Sequence, residues 1–124
     1  MRGIEGEQVL LRIIVSESRM HDGHPLYRRL LELLRAEGMA GATIVKGVAG
    51  FGHDRRIHTV ALEVSAEGLP VVLEVVDTQD HIDRVLPKLD ALMAGGMIML
   101  ERAQVIRYAK SQTPGSDRQP PPRS

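Results

Sequence analysis

Four cations and one glycine-flanked aromatic carry the chemistry this chain could do: Lys46, Arg55, Arg56, Arg107 and Phe51 within Gly50-Phe51-Gly52. Arg55 and Arg56 stand in a polar loop, where guanidinium groups can grip phosphate or carboxylate bidentately. The bland alternative is a solvated pair in an exposed loop. Lys46 and Arg107 lie inside strand-like apolar runs. A cation there needs a cleft, an interface, or a long stem that reaches water. Both are candidates for binding an anion. Gly50 and Gly52 allow close backbone approach and positive φ, so Phe51 sits on a hinge-like exit from a strand. The competing reading has Phe51 plugging an edge of the core.

Histidine offers a second chemistry. His21, Asp22 and His24 form one group, and His53, Asp54 and His58 another. Neither spacing is that of a recognised metal site, and helical i, i+4 geometry is absent. Surface histidines account for both, so the expectation is no metal and no cofactor. Ser16 and Ser18 have no evident base, and no paired carboxylates stand in an apolar setting, so no catalytic residues are assigned.

The elements that must position these residues follow from periodicity. Residues 1–8 read as a flexible lead-in. Val9–Val15 is a strand with apolar residues on both faces. Pro25 fits the first helical position, and Leu26, Leu30, Leu33 and Leu34 form one stripe of a helix ending near Glu37 at Gly38. Ala42–Val48 is β-branched and strand-like, and the basic loop follows it. Thr59–Val64 alternates, and Val71–Val76 is almost wholly apolar. Asp77 or Thr78 caps a second helix, with Asp80 and Asp83 expected in its first turn. Pro87 lies inside that helix and removes one of its hydrogen bonds. Gly95-Gly96 stops it. Met97–Tyr108 is a last strand, with a bulge expected near Arg102, and residues 110–124 are too polar and Pro-rich to fold.

The order β-α-β-loop-β-β-α-β predicts one α+β domain over residues 9–109, a ferredoxin-like βαββαβ sandwich with both helices on one face. The other face, apolar and without a helix, asks for cover by another copy. At 124 residues and 43% hydrophobic, the chain suits a single core. Sixteen basic and sixteen acidic residues balance, which argues against a dedicated nucleic-acid binder. There is no cysteine, the N-terminus lacks an apolar leader, and no run approaches the ~20 residues that span a bilayer. These features predict a cytoplasmic protein not inserted in a membrane.

Several stretches together resemble a known family. They are Leu-Arg-Ile-Ile-Val-Ser-Glu-Ser, His-Pro-Leu-Tyr, Ala-Gly-Ala-Thr-Ile-Val-Lys-Gly-Val-Ala-Gly-Phe-Gly, Arg-Ile-His-Thr, Leu-Pro-Val-Val-Leu-Glu-Val-Val-Asp and Val-Ile-Arg-Tyr. Across roughly Val9–Tyr108 the chain resembles the PII-like family numbered 190 among domains of unknown function. The resemblance implies a homotrimer like the PII signalling proteins, with adenine nucleotides in clefts between subunits and a loop that reports the bound state. Gly50, Phe51 and Gly52 match the loop base, and Arg107 matches a phosphate-contacting arginine. The family's phosphate-binding lysine falls near Gly96, and a second arginine is replaced by Ala109. The resemblance also implies a partner class, membrane proteins of the fluoride-export type.

The expected function is therefore a PII-like regulator. It would bind a small anionic effector, such as an adenine nucleotide, and present residues 50–58 to a partner protein. Lys46, Gly50, Phe51, Gly52, Arg55, Arg56 and Arg107 are its effector-binding candidates. The alternatives are a small metal-assisted hydrolase using the loop histidines, and a structural trimer without a ligand.

Overall fold

A computed structural model describes residues 3–52, 54–59 and 68–108. Eight strands and two helices follow in the order β1 (Gly6–Ser16), β2 (Met20–His21), β3 (His24–Pro25), α1 (Leu26–Ala36), β4 (Thr43–Lys46), β5 (Ala49–Gly50), β6 (His58–Thr59), β7 (Pro70–Asp77), α2 (Gln79–Leu92) and β8 (Met97–Val105). Four strands make one antiparallel sheet in the order β4-β7-β1-β8. That is the ferredoxin-like arrangement predicted from the element order, with each helix crossing between strands that are not neighbours.

Alternation sets the two faces of the sheet. Val9, Leu11, Ile13 and Val15 of β1 and Val71, Leu73 and Val75 of β7 are buried. They form one cluster with Leu26, Leu30 and Leu34 of α1 and Ile82, Val85 and Leu89 of α2. The expected stripe of α1 therefore docks as predicted, with Leu33 only partly buried beside it. Each fully buried leucine contributes about 1.5–3 kcal/mol relative to exposure.

The opposite face carries Leu10, Arg12 and Ile14, with Val72, Glu74 and Val76 from β7 and Met97, Met99 and Glu101 from β8. No element of the described chain covers it. At its centre Arg12 donates to Glu74 at 2.9 Å and to Glu101 at 3.3 Å. Those two carboxylates raise the guanidinium's pKa, Glu74 first.

Several boundaries differ from expectation. β1 begins at Gly6 rather than Val9, because Gly6, Glu7 and Gln8 pair with Val105, Gln104 and Ala103. The β1–β8 register is one-to-one throughout, so Arg102 simply faces Val9 and the expected bulge is absent. Pro25 caps α1 from outside, and the helix starts at Leu26. The polar connection before it holds a small hairpin, β2–β3, turned at Asp22-Gly23, where both residues have positive φ. In α2, Thr78 is the N-cap and its Oγ1 accepts the His81 N–H. Asp83 lies beyond the first turn, where its carboxylate accepts from Gln79 instead. The helix runs through Pro87, whose missing N–H leaves the Asp83 carbonyl without its helical donor. The residues expected to continue the third strand past Thr59, and those of the polar tail, lie outside the described residues.

Candidate functional site

The basic loop is a short hairpin. β5 and β6 pair Ala49 with Thr59 and Gly50 with His58. Its root is Gly47, whose N–H donates to the Pro70 carbonyl at 2.8 Å. A Cβ at Gly47 would fall 2.5 Å from Pro70 Cγ, so the chain here fits only a glycine without displacement. On the return side the His58 ring lies against Gly68, where a Cβ would stand 2.5 Å from its Nδ1. Two glycines from distant parts of the chain thus let the hairpin lie flat against the sheet end.

The tip is held by its own contacts. Arg55 N–H donates to the Gly52 carbonyl at 2.9 Å, and Arg55 adopts φ +62° to close the turn. Its guanidinium stands 5.5 Å from the Phe51 ring centroid, a cation–π pairing. Asp54 accepts the Arg56 N–H at 3.0 Å and lies 3.6 Å from His58 Nε2. The Arg56 N–H, and then the His58 ring, hold the Asp54 carboxyl below the usual carboxylate range. Phe51 is 58% exposed, so it does not plug the core edge. Val48 and Ile57 are exposed with it, at 73% and 63%. The hairpin therefore presents an apolar and basic surface to solvent.

Lys46 ends β4 immediately before this root. Being the last strand residue, it reaches past the sheet rather than into the core. Its Nζ donates to Glu17 Oε2 at 2.6 Å and stands 5.4 Å from the Tyr27 ring centroid. Glu17 above all, then Tyr27, raises the lysine's pKa against the opposing effect of burial. The other Glu17 oxygen is buried without a hydrogen-bond partner among the described residues. Lys46 is thus already engaged within its own chain, a partnership the sequence reading missed. Glu17 lies 29 residues away, and only the β4-β7-β1 order brings the two strand ends together.

Arg107 stands elsewhere. Met97 pairs with Ile14 and Val105 with Gly6, so β8 runs away from the loop end of the sheet. Eight residue steps of strand separate Met97 from Val105, about 26 Å. Beyond Val105 the chain is tied to the far end, where Tyr108 N–H donates to Glu5 and its hydroxyl to the Ala40 carbonyl. Arg107 is exposed there. Lys46 and the hairpin that carries Gly50, Phe51, Gly52, Arg55 and Arg56 therefore leave the sheet at one end, and Arg107 lies beyond the other.

His21 faces His24 across the β2–β3 hairpin, at a distance in sequence from His58. His21 meets Asp22 at 3.4 Å and His58 meets Asp54, while His53 lies outside the described residues. Among the described residues no group of three or more His, Cys, Asp or Glu is placed to hold a metal ion.

Comparison with known proteins agrees with this architecture. A UPF0166 protein of Aquifex aeolicus is 37% identical over 97 residues, covering 78% of this chain and 91% of that one. A UPF0166 protein of Methanocaldococcus jannaschii is 32% identical over 99 residues, covering 79% and 91%. Among solved structures, a protein of Thermus thermophilus described as PII-like superposes with a TM-score of 0.61 at 20% identity, over 83% of this chain and 94% of that one. CPII of Thiomonas intermedia K12, a nitrogen regulatory PII-like protein bound to ADP, AMP and bicarbonate, superposes with a TM-score of 0.56 at 19% identity, over 82% and 90%. At such identities these structures speak to the fold alone. The profile of domain of unknown function 190 (DUF190, "Uncharacterized ACR") matches residues 8–105, and the chain belongs to that family, with the fold of the PII-like proteins.

Proposed function

We propose that this protein is a PII-like regulator that binds a small anionic effector of the adenine-nucleotide class between copies of itself. The observation that carries the reading is the exposed hairpin rooted on Gly47, with Phe51, Arg55 and Arg56 at its tip and Lys46 at its base. A segment pinned at its root and apolar at its tip suits a reporter element that changes position when a neighbour is occupied. The nucleotides bound to CPII, a protein of the same fold, support the effector class.

The reading includes a homotrimer. The uncovered sheet face is apolar around the Arg12 cluster, which supports a second copy as its cover. In such an assembly Arg107 of one copy would join Lys46 and Arg56 of the next. The hairpin would engage a partner protein, such as a membrane transporter of the fluoride-export type, from the cytoplasm. No helix among the described residues is long and apolar enough to cross a membrane. The protein would act by binding, without catalysing a reaction.

The test combines native mass measurement with calorimetric titration of ATP, ADP, AMP and adenosine. The chain has no tryptophan, so Phe51→Trp provides a single fluorescent reporter on the loop. Nucleotide addition should shift its emission and raise Tm in a concentration-dependent way. Arg107→Ala should weaken binding while leaving the fold unchanged. A monomer that binds none of these nucleotides would refute the reading.

A further inference from the structure

Arg19 has no part in the effector reading above, yet its placement suits phosphate. It follows Ser16-Glu17-Ser18 in the turn between β1 and β2. Its backbone is fixed on both sides, since its N–H donates to the Ser16 carbonyl at 3.1 Å and its own carbonyl accepts from Leu26 at 2.8 Å. The side chain reaches across to the Gly95-Gly96 turn that leads into β8. A Cβ built on Gly95 would lie 2.9 Å from Arg19 Nη2 and 3.5 Å from its Cζ, so the guanidinium rests on the bare glycine. Gly96 holds that turn against β1 with φ +102°, where a Cβ would meet the Ile14 carbonyl oxygen at 2.8 Å. Arg19 is exposed, and among the described residues its guanidinium makes no ion pair and donates no hydrogen bond.

Two hydroxyls stand in the same turn. Ser16 Oγ and Ser18 Oγ are 2.9 Å apart, and Ser18 N–H points to Ser16 Oγ at 3.3 Å. A guanidinium with unused donors, on a turn that also carries two hydroxyls, offers the donor types a phosphate group accepts from. The turn also lies at the loop end of the sheet, the end that carries Lys46. Within one copy β8 and β4 are opposite edges, three strand spacings or about 14 Å apart.

From the Arg19–Gly95 juxtaposition we infer that Arg19, on the turn that carries Ser16 and Ser18, is a phosphate-binding residue of this protein. The inference deepens the proposed function by adding a phosphate contact to its effector site, and the nucleotide class rests on that reading. The phosphate contact itself rests on the Arg19 geometry.

The experiment titrates full-length protein, Arg19→Gln and Gly95→Ala with ADP, AMP, adenosine and inorganic phosphate by calorimetry. Gly95→Ala keeps the arginine but places a methyl where its guanidinium lies. Arg19→Gln should weaken ADP binding roughly tenfold or more, the loss expected for a charge-assisted contact, with adenosine unaffected. Gly95→Ala should weaken ADP in the same direction, and both variants should keep the parent Tm within a few degrees. ADP affinity unchanged in both variants would overturn the Arg19 inference and leave the nucleotide reading standing. Binding of inorganic phosphate alone, lost in Arg19→Gln, would uphold Arg19 and overturn the nucleotide reading. No binding of any phosphate-bearing probe to the parent protein would overturn both.

Discussion

Gly47→Ala should damage the loop root by steric conflict alone. Gly47 is not among the glycines with positive φ, so alanine meets no backbone penalty there. The added methyl would lie 2.5 Å from Pro70 Cγ, 3.2 Å from its Cδ and 3.3 Å from its carbonyl oxygen. Carbon atoms pack best at about 3.5–4.0 Å, so roughly 1 Å of overlap must be relieved. The proline ring cannot rotate aside, because it is closed onto its own backbone. Relief must come from β4 moving off β7, against the Lys46–Val71 pairing and the 2.8 Å bond from Gly47 N–H to Pro70. Overpacking of this kind costs about 1–3 kcal/mol. For a domain of this size that corresponds to a Tm lower by about 5–20 °C. Scanning calorimetry of Gly47→Ala, Pro70→Ala and the double variant would test it. Removing the ring removes the worst contact, so the double variant should be more stable than the sum of the single effects by about 1–2 kcal/mol. Additive effects, or a parent-like Tm for Gly47→Ala, would refute the account of Gly47 as a root that only glycine fits.

Other outcomes follow from the same structure. Asp77 is fully buried and its carboxylate accepts the Ala40 N–H at 2.8 Å and the Thr78 N–H at 2.7 Å. Asp77→Ala leaves those donors unsatisfied and should cost about 2–4 kcal/mol in denaturant unfolding, with Asp77→Asn recovering part of it. Glu17→Gln removes the carboxylate that neutralises Lys46, so it should lower the lysine's pKa and strengthen ADP binding a few-fold; weaker binding would mean that Glu17 itself holds the effector. At the hairpin tip, the lowered Asp54 pKa fixes the sign of a pH effect. The ordering it supplies is present above the unfolded carboxyl's pKa and is lost as pH falls through the lower folded value. The Arg56 amide should exchange faster with solvent, relative to its intrinsic rate, as that carboxyl protonates. Asp54→Asn should abolish this acid-dependent step.

What the sequence made legible was local. The Leu26, Leu30, Leu34 stripe, the near-continuous apolar run of β7, the Thr78 cap and the glycine-framed exit at Gly50-Phe51-Gly52 all follow from spacing within one element. Partners that depend on register were not legible. Arg12 finds Glu74 and Glu101 across two different strand pairings, 62 and 89 residues away. Lys46 finds Glu17 because the ends of β4 and β1 lie along one rim, and periodicity alone does not reveal that rim. The expected bulge at Arg102 failed for a similar reason. A charged residue that breaks apolar alternation suggests a bulge, but on an edge strand it needs only solvent, and Arg102 there pairs with Glu7 at 2.8 Å. Phe51 was ambiguous because a lone aromatic between glycines fits either a plug or an exposed tip. Its exposure and its contact with Arg55 decide for the tip.

The separation of Arg107 from the hairpin bears directly on assembly. The two sets of cations sit at opposite ends of a strand about 26 Å long, too far apart for one small anion to touch both within a chain. If Arg107 belongs to the effector site, the site requires a second copy. The uncovered sheet face offers the surface for one, but its centre is charged. Arg12 faces two carboxylates, leaving one negative charge in excess on each copy. Burying that face would remove the excess carboxylate from water, which is costly unless a neighbour supplies a cation. Assembly through this face should therefore tighten when the excess charge is removed. Glu101→Gln, which removes that charge and leaves the closer Arg12–Glu74 pair, should give an oligomer that survives further dilution than the parent. Native mass measurements over a dilution series would show it, and an oligomer no tighter in Glu101→Gln than in the parent protein would exclude a buried, unbalanced cluster at the interface.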